Sequence, residues 1–339
     1  MQKNETIPGV PDCAANPVGS LKKMFVDTTM GQRIAAGQCP VRRAVFLKPH
    51  GVVKADFIVM PGLEPQYKKG IFKYEQFEAW VRFSSDTVPG VPDLRTTVGC
   101  AIKLFNVPGK KLLDPDNDCL TADFLLQNMD VFFVDTAVDM CEFTTAGVVN
   151  HDYGAYLKSH PVTSQILDDM QKNVRSCLST PYWSGLPYAF DERAIKYKLE
   201  PIPPPFSVPA SQNNKDYLAA DLQARLNLGE AQFKFMIQFS NDPVKMPVDR
   251  ATVRWNEKES VPIQLATLVI RMQDILAQGQ VFYGENLSYN PWRTLSEHKP
   301  LGTINEARKT VYKTGADLRR HLNGVTPTEP GAARQLANP

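Results

Sequence analysis

The chain has 339 residues, 43 % of them hydrophobic and 22 % charged, and its 38 Lys and Arg nearly balance 36 Asp and Glu for a formal net charge of +2. Such a composition suits a soluble globular protein with a sizeable core. It excludes a global field for nucleic acid or an anionic membrane, and no run of about 18 apolar residues supplies a membrane span.

Residues 1–20 are rich in Pro, Asn and Gly and read as a loose arm without the apolar core of a secretory signal. A short helix is expected from Ser20 to Ala36, with Leu21, Met24, Phe25 and Ile34 as its apolar positions. From about 42 to 135 the pattern becomes one of strands: Arg43 to Phe46, Gly51 to Val59, Trp80 to Phe83, Val98 to Phe105 and Val131 to Val134, separated by turns such as Asp114-Pro115-Asp116-Asn117-Asp118. Residues 136–178 read as more helical. An extended stretch runs from Tyr182 to Tyr197, and the prolines from Pro201 to Pro205 suggest a polyproline crossover. A helix over 214–229, strands over 231–239 and 261–272, and a C-terminal helix over 304–323 complete the reading. Strands and helices in separate blocks indicate an α+β fold. The expected organisation is an arm and short helix over 1–40, a barrel domain over 41–325 and a flexible tail over 326–339.

The six cysteines are scattered with no C-x-x-C pair, which argues against a zinc site and favours a reduced, cytoplasmic setting. The five histidines are dispersed, H-E-x-x-H is absent, and no glycine-rich phosphate loop is present. What remains is a set of arginines on apolar segments. Arg43 and Arg82 suit a buried pocket holding an anionic cofactor, and Val45, Phe46, Phe83, Phe132 and Phe133 could wall it. The bland alternative is a packed barrel core with solvated arginines on its rim. Near the C-terminus, Arg308 and Tyr312 lie four apart on a predicted helix and share a face, where the cation would lower the phenol's pKa. Arg319 follows about two turns later on the same face.

Arg43-Ala44-Val45-Phe46 resembles the first strand of the haem-catalase fold, which reads R-V-V-H, and Val81-Arg82-Phe83-Ser84 resembles its later V-R-F-S strand. Asp123-Phe124 onward to Val131-Phe132-Phe133-Val134 resembles the strand bearing the distal asparagine ahead of a V-F-F triplet. Asn290-Pro291-Trp292, Glu297-His298-Lys299-Pro300-Leu301-Gly302 and Ile304-Asn305-Glu306-Ala307-Arg308 look like a compact catalase-related subgroup. The resemblance runs from about residue 40 to 320. It implies a catalase-like antiparallel β-barrel with flanking helices, haem b lodged inside that barrel, and Tyr312 as the iron ligand in an R-x-x-x-Y element. It further implies Arg43, Arg82 and Arg319 toward the propionates, Ser84 behind the distal position, and peroxide or an organic hydroperoxide as substrate; a homo-oligomer is allowed.

Two departures from the family pattern matter. Phe46 stands where the family has its distal histidine, so weak or absent true catalase turnover is expected. His50 could replace that base only through a sharp bend or bulge, because four strand residues span about 13 Å. The distal amide falls on Gln127 or on Asn128, and adjacent strand residues face opposite sides, so one of the two is excluded. Met140 falls where the family has an aromatic against the porphyrin, and Tyr289, preceded by Glu285, is expected to pack near Trp292. The alternatives are a haem enzyme that rearranges a specialised substrate, or a non-catalytic or haem-free binding protein on the same fold.

Overall fold

The computed structural model describes residues 11–203 and 214–336. Eight strands close into an antiparallel barrel. They are β1 (Lys48–Val59), β2 (Gln76–Ser85), β3 (Val98–Phe105), β4 (Thr121–Gln127), β5 (Tyr182–Trp183), β7 (Arg193–Ile202), β8 (Ala231–Phe239) and β9 (Ile263–Ile270), which pairs back to β1. A short β6 (Tyr188–Phe190) adds to the edge of β7.

Alternation along each strand decides what the barrel holds. Val53, Ala55 and Phe57 of β1, Val81 and Phe83 of β2, and Cys100, Ile102 and Leu104 of β3 all join one buried cluster with Phe235 and Tyr197. Phe124 and Phe235 lie 4.8 Å apart between ring centres, and Phe57 is 5.0 Å from Phe235. The interior is therefore filled by aromatic side chains and is a packed core. A cofactor inside the barrel, as the sequence suggested, has no room, and Phe83 belongs to this core.

Helices pack on the outer face of β2–β4. An N-terminal helix runs through α1 (Pro17–Lys22), a π-helical stretch (Lys23–Met30) and α2 (Gly31–Ala35). It packs with α3 (Ala137–Val148) and the long α8 (Thr303–Leu322). The remaining helices are α4 (Tyr153–Ser159), α5 (Pro161–Met170), α6 (Tyr217–Leu226) and α7 (Gln280–Asn286). Thr136 caps α3 in a reciprocal box with Asp139, which fixes where that helix begins. A disulfide joins Cys13 to Cys141 of α3 across a sequence separation of 128. Cysteine spacing could not show that pairing, and it ties the arm to the helices.

Three segments differ from the sequence reading. Residues 41–47 are not strand; regular pairing starts at Lys48. They are pinned by other donors: Arg33 donates to the carbonyls of Arg43 and Ala44, and Asn323 at the end of α8 exchanges hydrogen bonds with Val41. Residues 131–134 form a loop, because the Phe132 N–H bonds Ala251 instead of a neighbouring strand and the two phenylalanine rings stack on each other at 4.7 Å. Residues 326–336 lie along the barrel instead of trailing from it. There Glu329 is buried against Lys103, and the Trp80 indole donates to Arg334 O. Pro201 lies within β7, which ends at Ile202, while Pro204 and Pro205 of the expected crossover lie outside the described residues.

Candidate functional site

A cavity of about 530 Å³ lies outside the barrel, between the outer face of β2–β4 and the helices α3 and α8. That is within the usual range for small-molecule and cofactor sites. Its floor follows from strand register. One row reads Ser84, Gly99, Gln127 across β2, β3 and β4; the next reads Arg82, Ala101, Leu125. In these two rows the central strand places only Gly99 and Ala101, so the space exists because two side chains are small. Every expected site residue borders this cavity except Asn128: Arg43, Val45, Phe46, Arg82, Ser84, Gln127, Phe132, Phe133, Arg308, Tyr312 and Arg319. Met140 borders it too.

Phe46 packs on this floor. Its φ is +52°, in the left-handed region that a bulky residue rarely adopts. Arg82 holds it there by donating to the Phe46 carbonyl at 3.1 Å. The ring lies directly over Gly99, where a Cβ would come within 2.9 Å of it. A benzyl group therefore covers this part of the floor, and no imidazole does. His50 sits at the irregularity in β1–β2 pairing between Pro49 and Gly51, yet it is buried away from the cavity, with its Nδ1 3.9 Å from Asp93. Burial first, then Lys48 and Arg82, push its pKa down to about 3, so it is neutral and without a hydrogen-bond partner.

The choice between the two amides is decided by the backbone. Gln127 ends β4 on the cavity face and donates to Val131 O at 3.0 Å. Asn128 turns away, its Oδ1 accepting the Val98 N–H at 2.9 Å.

The opposite wall is α8. Arg308 donates to Asn305 Oδ1 at 3.0 Å, and its guanidinium stands 5.1 Å from the centre of the Tyr312 ring. Burial works against its charge, but Tyr312 and Tyr188 outweigh burial and raise its pKa. The titratable groups that act most on it are thus two phenols, Tyr312 and Tyr188. Tyr188 was not a sequence candidate; it arrives from β6, too distant in the chain for helix spacing to place. Tyr289 also borders the cavity, with Val52, Trp80, Phe105 and Leu287 as its packing partners. Burial raises its pKa far above the ordinary phenol value.

At the end that α7 closes, three buried guanidinium groups converge. Arg43 donates to the carbonyls of Gly284 and Leu287, and Arg319 donates to Glu285 O and Leu287 O. The carboxylate of Glu285 stands 3.6 Å from Arg43 and 3.7 Å from Arg82. Arg43 Nη1, Arg82 Nε and Arg319 Nε are buried with no hydrogen-bond partner. Burial first, then Arg319 and Arg82, lower the Arg43 pKa; burial lowers that of Arg319 to about 10. Three positive charges against one negative charge leave this pole two charges in surplus. Glu285 escaped the sequence reading because only the tertiary placement of α7 brings it here.

No protein-family model matches the chain, and no curated protein sequence does. Solved structures do. A fungal catalase matches over 83 % of this chain and 61 % of its own, at 17 % identity and a TM-score of 0.64. A bacterial catalase matches over 91 % and 64 %, at 15 % identity and 0.67. Catalase A from Saccharomyces cerevisiae matches over 83 % and 63 %, at 16 % identity and 0.64. The chain has the catalase-like fold and spans about three-fifths of the length of each of these proteins.

Proposed function

We propose that this chain, a protein of catalase-like fold, binds haem b in the cavity between β2–β4 and α8 and acts as an oxidoreductase on peroxide or an organic hydroperoxide. The observation that carries the reading is the polarity of the cavity. A phenol backed by a guanidinium lies on one wall, and two uncompensated positive charges with free N–H donors lie at one end. Aromatic and aliphatic groups line most of the remainder. A porphyrin with a metal centre and two carboxylates matches all three features.

In this reading Tyr312 would hold the iron, Arg308 would balance the charge on its oxygen, and Arg43, Arg82 and Arg319 would take the propionates. Bound haem supplies the redox centre for breaking a peroxide O–O bond. The chain's own contribution is then mostly exclusion and orientation. Phe46 keeps water from the floor around Gly99, and the Gln127 amide and the Ser84 hydroxyl in the same row are polar groups that can orient an incoming hydroperoxide. The family's distal imidazole is missing, and Asp86, the carboxylate on the lining, is held by the Thr96 hydroxyl and the Thr97 N–H, which is why true catalase turnover is weak or absent in this proposal. A second reading, a haem enzyme that rearranges an apolar substrate, is favoured by the Phe46 benzyl group together with Phe143, Val148, Leu167 and Met170 on the cavity's lining.

The test is an absorption spectrum of the protein before and after haem is supplied, expected to gain an intense band at about 400 nm. Tyr312→Phe should lose or loosen the cofactor. Failure of the wild type to bind would return the chain to a haem-free binding protein. Comparing hydrogen peroxide with a lipid hydroperoxide as substrates separates the two haem readings.

A further inference from the structure

Glu285 sits among Arg43, Arg82 and Arg319 in an unusual way. Its oxygens lie 3.6 and 3.7 Å from Arg43 and Arg82, inside the range of Coulomb attraction but beyond a normal hydrogen bond. Arg43 Nη1, the atom nearest Glu285, makes no hydrogen bond, while Arg43 Nη2 and both Arg319 Nη groups donate to the carbonyls at the end of α7 and Arg82 Nη2 donates to Phe46 O. Arg43 Nη1, Arg82 Nε and Arg319 Nε stay buried and unpaired. Glu285 therefore neutralises charge without consuming donors. Three buried cations with no anion would repel one another strongly in this low-dielectric setting. With one carboxylate present the surplus is two, and a ligand bringing two carboxylates brings the pole to neutrality.

We propose that Glu285 is a resident counter-ion, which steadies the three arginines in the unloaded protein and then opposes the carboxylates of the incoming ligand, so that it sets the affinity for a dianionic porphyrin. This rests on the haem reading above. A carboxylate that remains beside the propionates repels them, and it cannot leave easily, because Arg319 donates to Glu285's own carbonyl and fixes its backbone. The same device discriminates between ligands. A neutral porphyrin meets the arginines without repulsion from Glu285, but also leaves their surplus charge unpaired.

The experiment titrates wild-type and Glu285→Gln apoproteins with haemin and with haemin dimethyl ester, followed by the absorption band, and melts both proteins without ligand. Glu285→Gln should melt at a lower temperature, bind haemin at least about tenfold more tightly, and bind the ester no better than wild type. An unchanged or weaker affinity for haemin overturns the proposal, and so does a gain that persists with the ester. If the variant does not fold unloaded, both proteins are produced with haem supplied and the rate of haem loss to apomyoglobin is compared. Slower loss from the variant by at least about tenfold supports the proposal, and equal or faster loss overturns it. A wild type that takes up neither porphyrin strikes the haem reading itself, a result distinct from any difference between the two proteins.

Discussion

Two buried basic clusters flank the same barrel, and they are built on opposite plans. Beside β3 and β4, Lys103, Arg293 and Arg320 meet Asp116, Asp123 and Glu329. There, every charged group has an opposite charge within 3.2 Å: Lys103 is 2.7 Å from Asp123 and 2.6 Å from Glu329, and Arg320 is 3.1 Å from Glu329. Arg43, Arg82 and Arg319 have only Glu285, and at longer range; an unpaired buried donor does not separate the two clusters, because Arg293 Nε lacks a partner as well. Three cations with three anions make a closed network whose work is to clamp residues 326–336 against the barrel. Three cations with one anion make the socket proposed above. In that proposal charge balance, more than burial, separates a structural cluster from a ligand site.

The largest expected effect falls on the closed network. Glu329→Ala leaves Lys103 and Arg320 facing buried space without their shared anion, and should cost about 3–5 kcal/mol in chemical unfolding. Haem uptake per folded molecule should be unchanged. A large drop in uptake would mean the two clusters are not separate.

Acid should act next, mainly through buried histidines. His50 and His298 are both held neutral by burial, with pKa values near 3 and 4. In the unfolded chain both would take up protons near 6.5, so below that pH the unfolded state binds more protons and stability falls as pH drops. The loss is about 1.4 kcal/mol per pH unit for each histidine, or about 4 kcal/mol for the pair between pH 6.5 and 5. His298 bonds the Ile71 N–H through Nε2 and the Tyr197 hydroxyl through Nδ1 in the barrel core. His298→Gln should therefore halve the slope, measured by urea unfolding across this range. A wild-type curve that stays flat to pH 5 would show that the histidines gain charge without unfolding.

A smaller effect, in free-energy terms, belongs to the ring that covers the socket's floor. Phe46→His in haem-loaded protein should raise hydrogen peroxide consumption by at least about 10²-fold, the low end of what a positioned base contributes. No increase would mean that the left-handed backbone at this position aims an imidazole away from the reacting atoms.

Much of this site was legible because its signals are local. Arg308 and Tyr312 share a helix face by spacing alone, and Phe46 stands out as soon as the surrounding strand motif is seen. Gln127 and Asn128 could not be told apart until pairing with Val98 and Gly99 fixed which faces out. The barrel interior shows what the sequence already contained but the reading neglected. In Trp80-Val81-Arg82-Phe83-Ser84, alternation puts Phe83 on the face opposite Arg82 and Ser84, so all three could not border one pocket. Glu285, Tyr188 and the Cys13–Cys141 bridge were illegible for another reason: each acts across more than 100 residues of chain, where no periodicity carries information.

Gly99 is the smallest of these effects and the sharpest test of the socket's shape. It lies between Ser84 and Gln127 in the floor, directly under the Phe46 ring. Its role is space, since it carries no unusual backbone angle. Gly99→Ala would gain a little strand preference but place a methyl 2.9 Å from the ring carbons, so the ring must tilt or lift. Phe46 has little freedom to yield, because Arg82 holds its carbonyl. A net loss of about 1 kcal/mol is expected, the small end of overpacking costs. The closed network beside β3 and β4 should not register it, so Glu329→Ala and Gly99→Ala should add within about 0.5 kcal/mol when combined. In the loaded protein the displaced ring should shift the absorption band, while the arginine pole keeps its affinity for the porphyrin carboxylates. Unchanged stability together with an unchanged spectrum would mean that the ring does not rest on the floor at all.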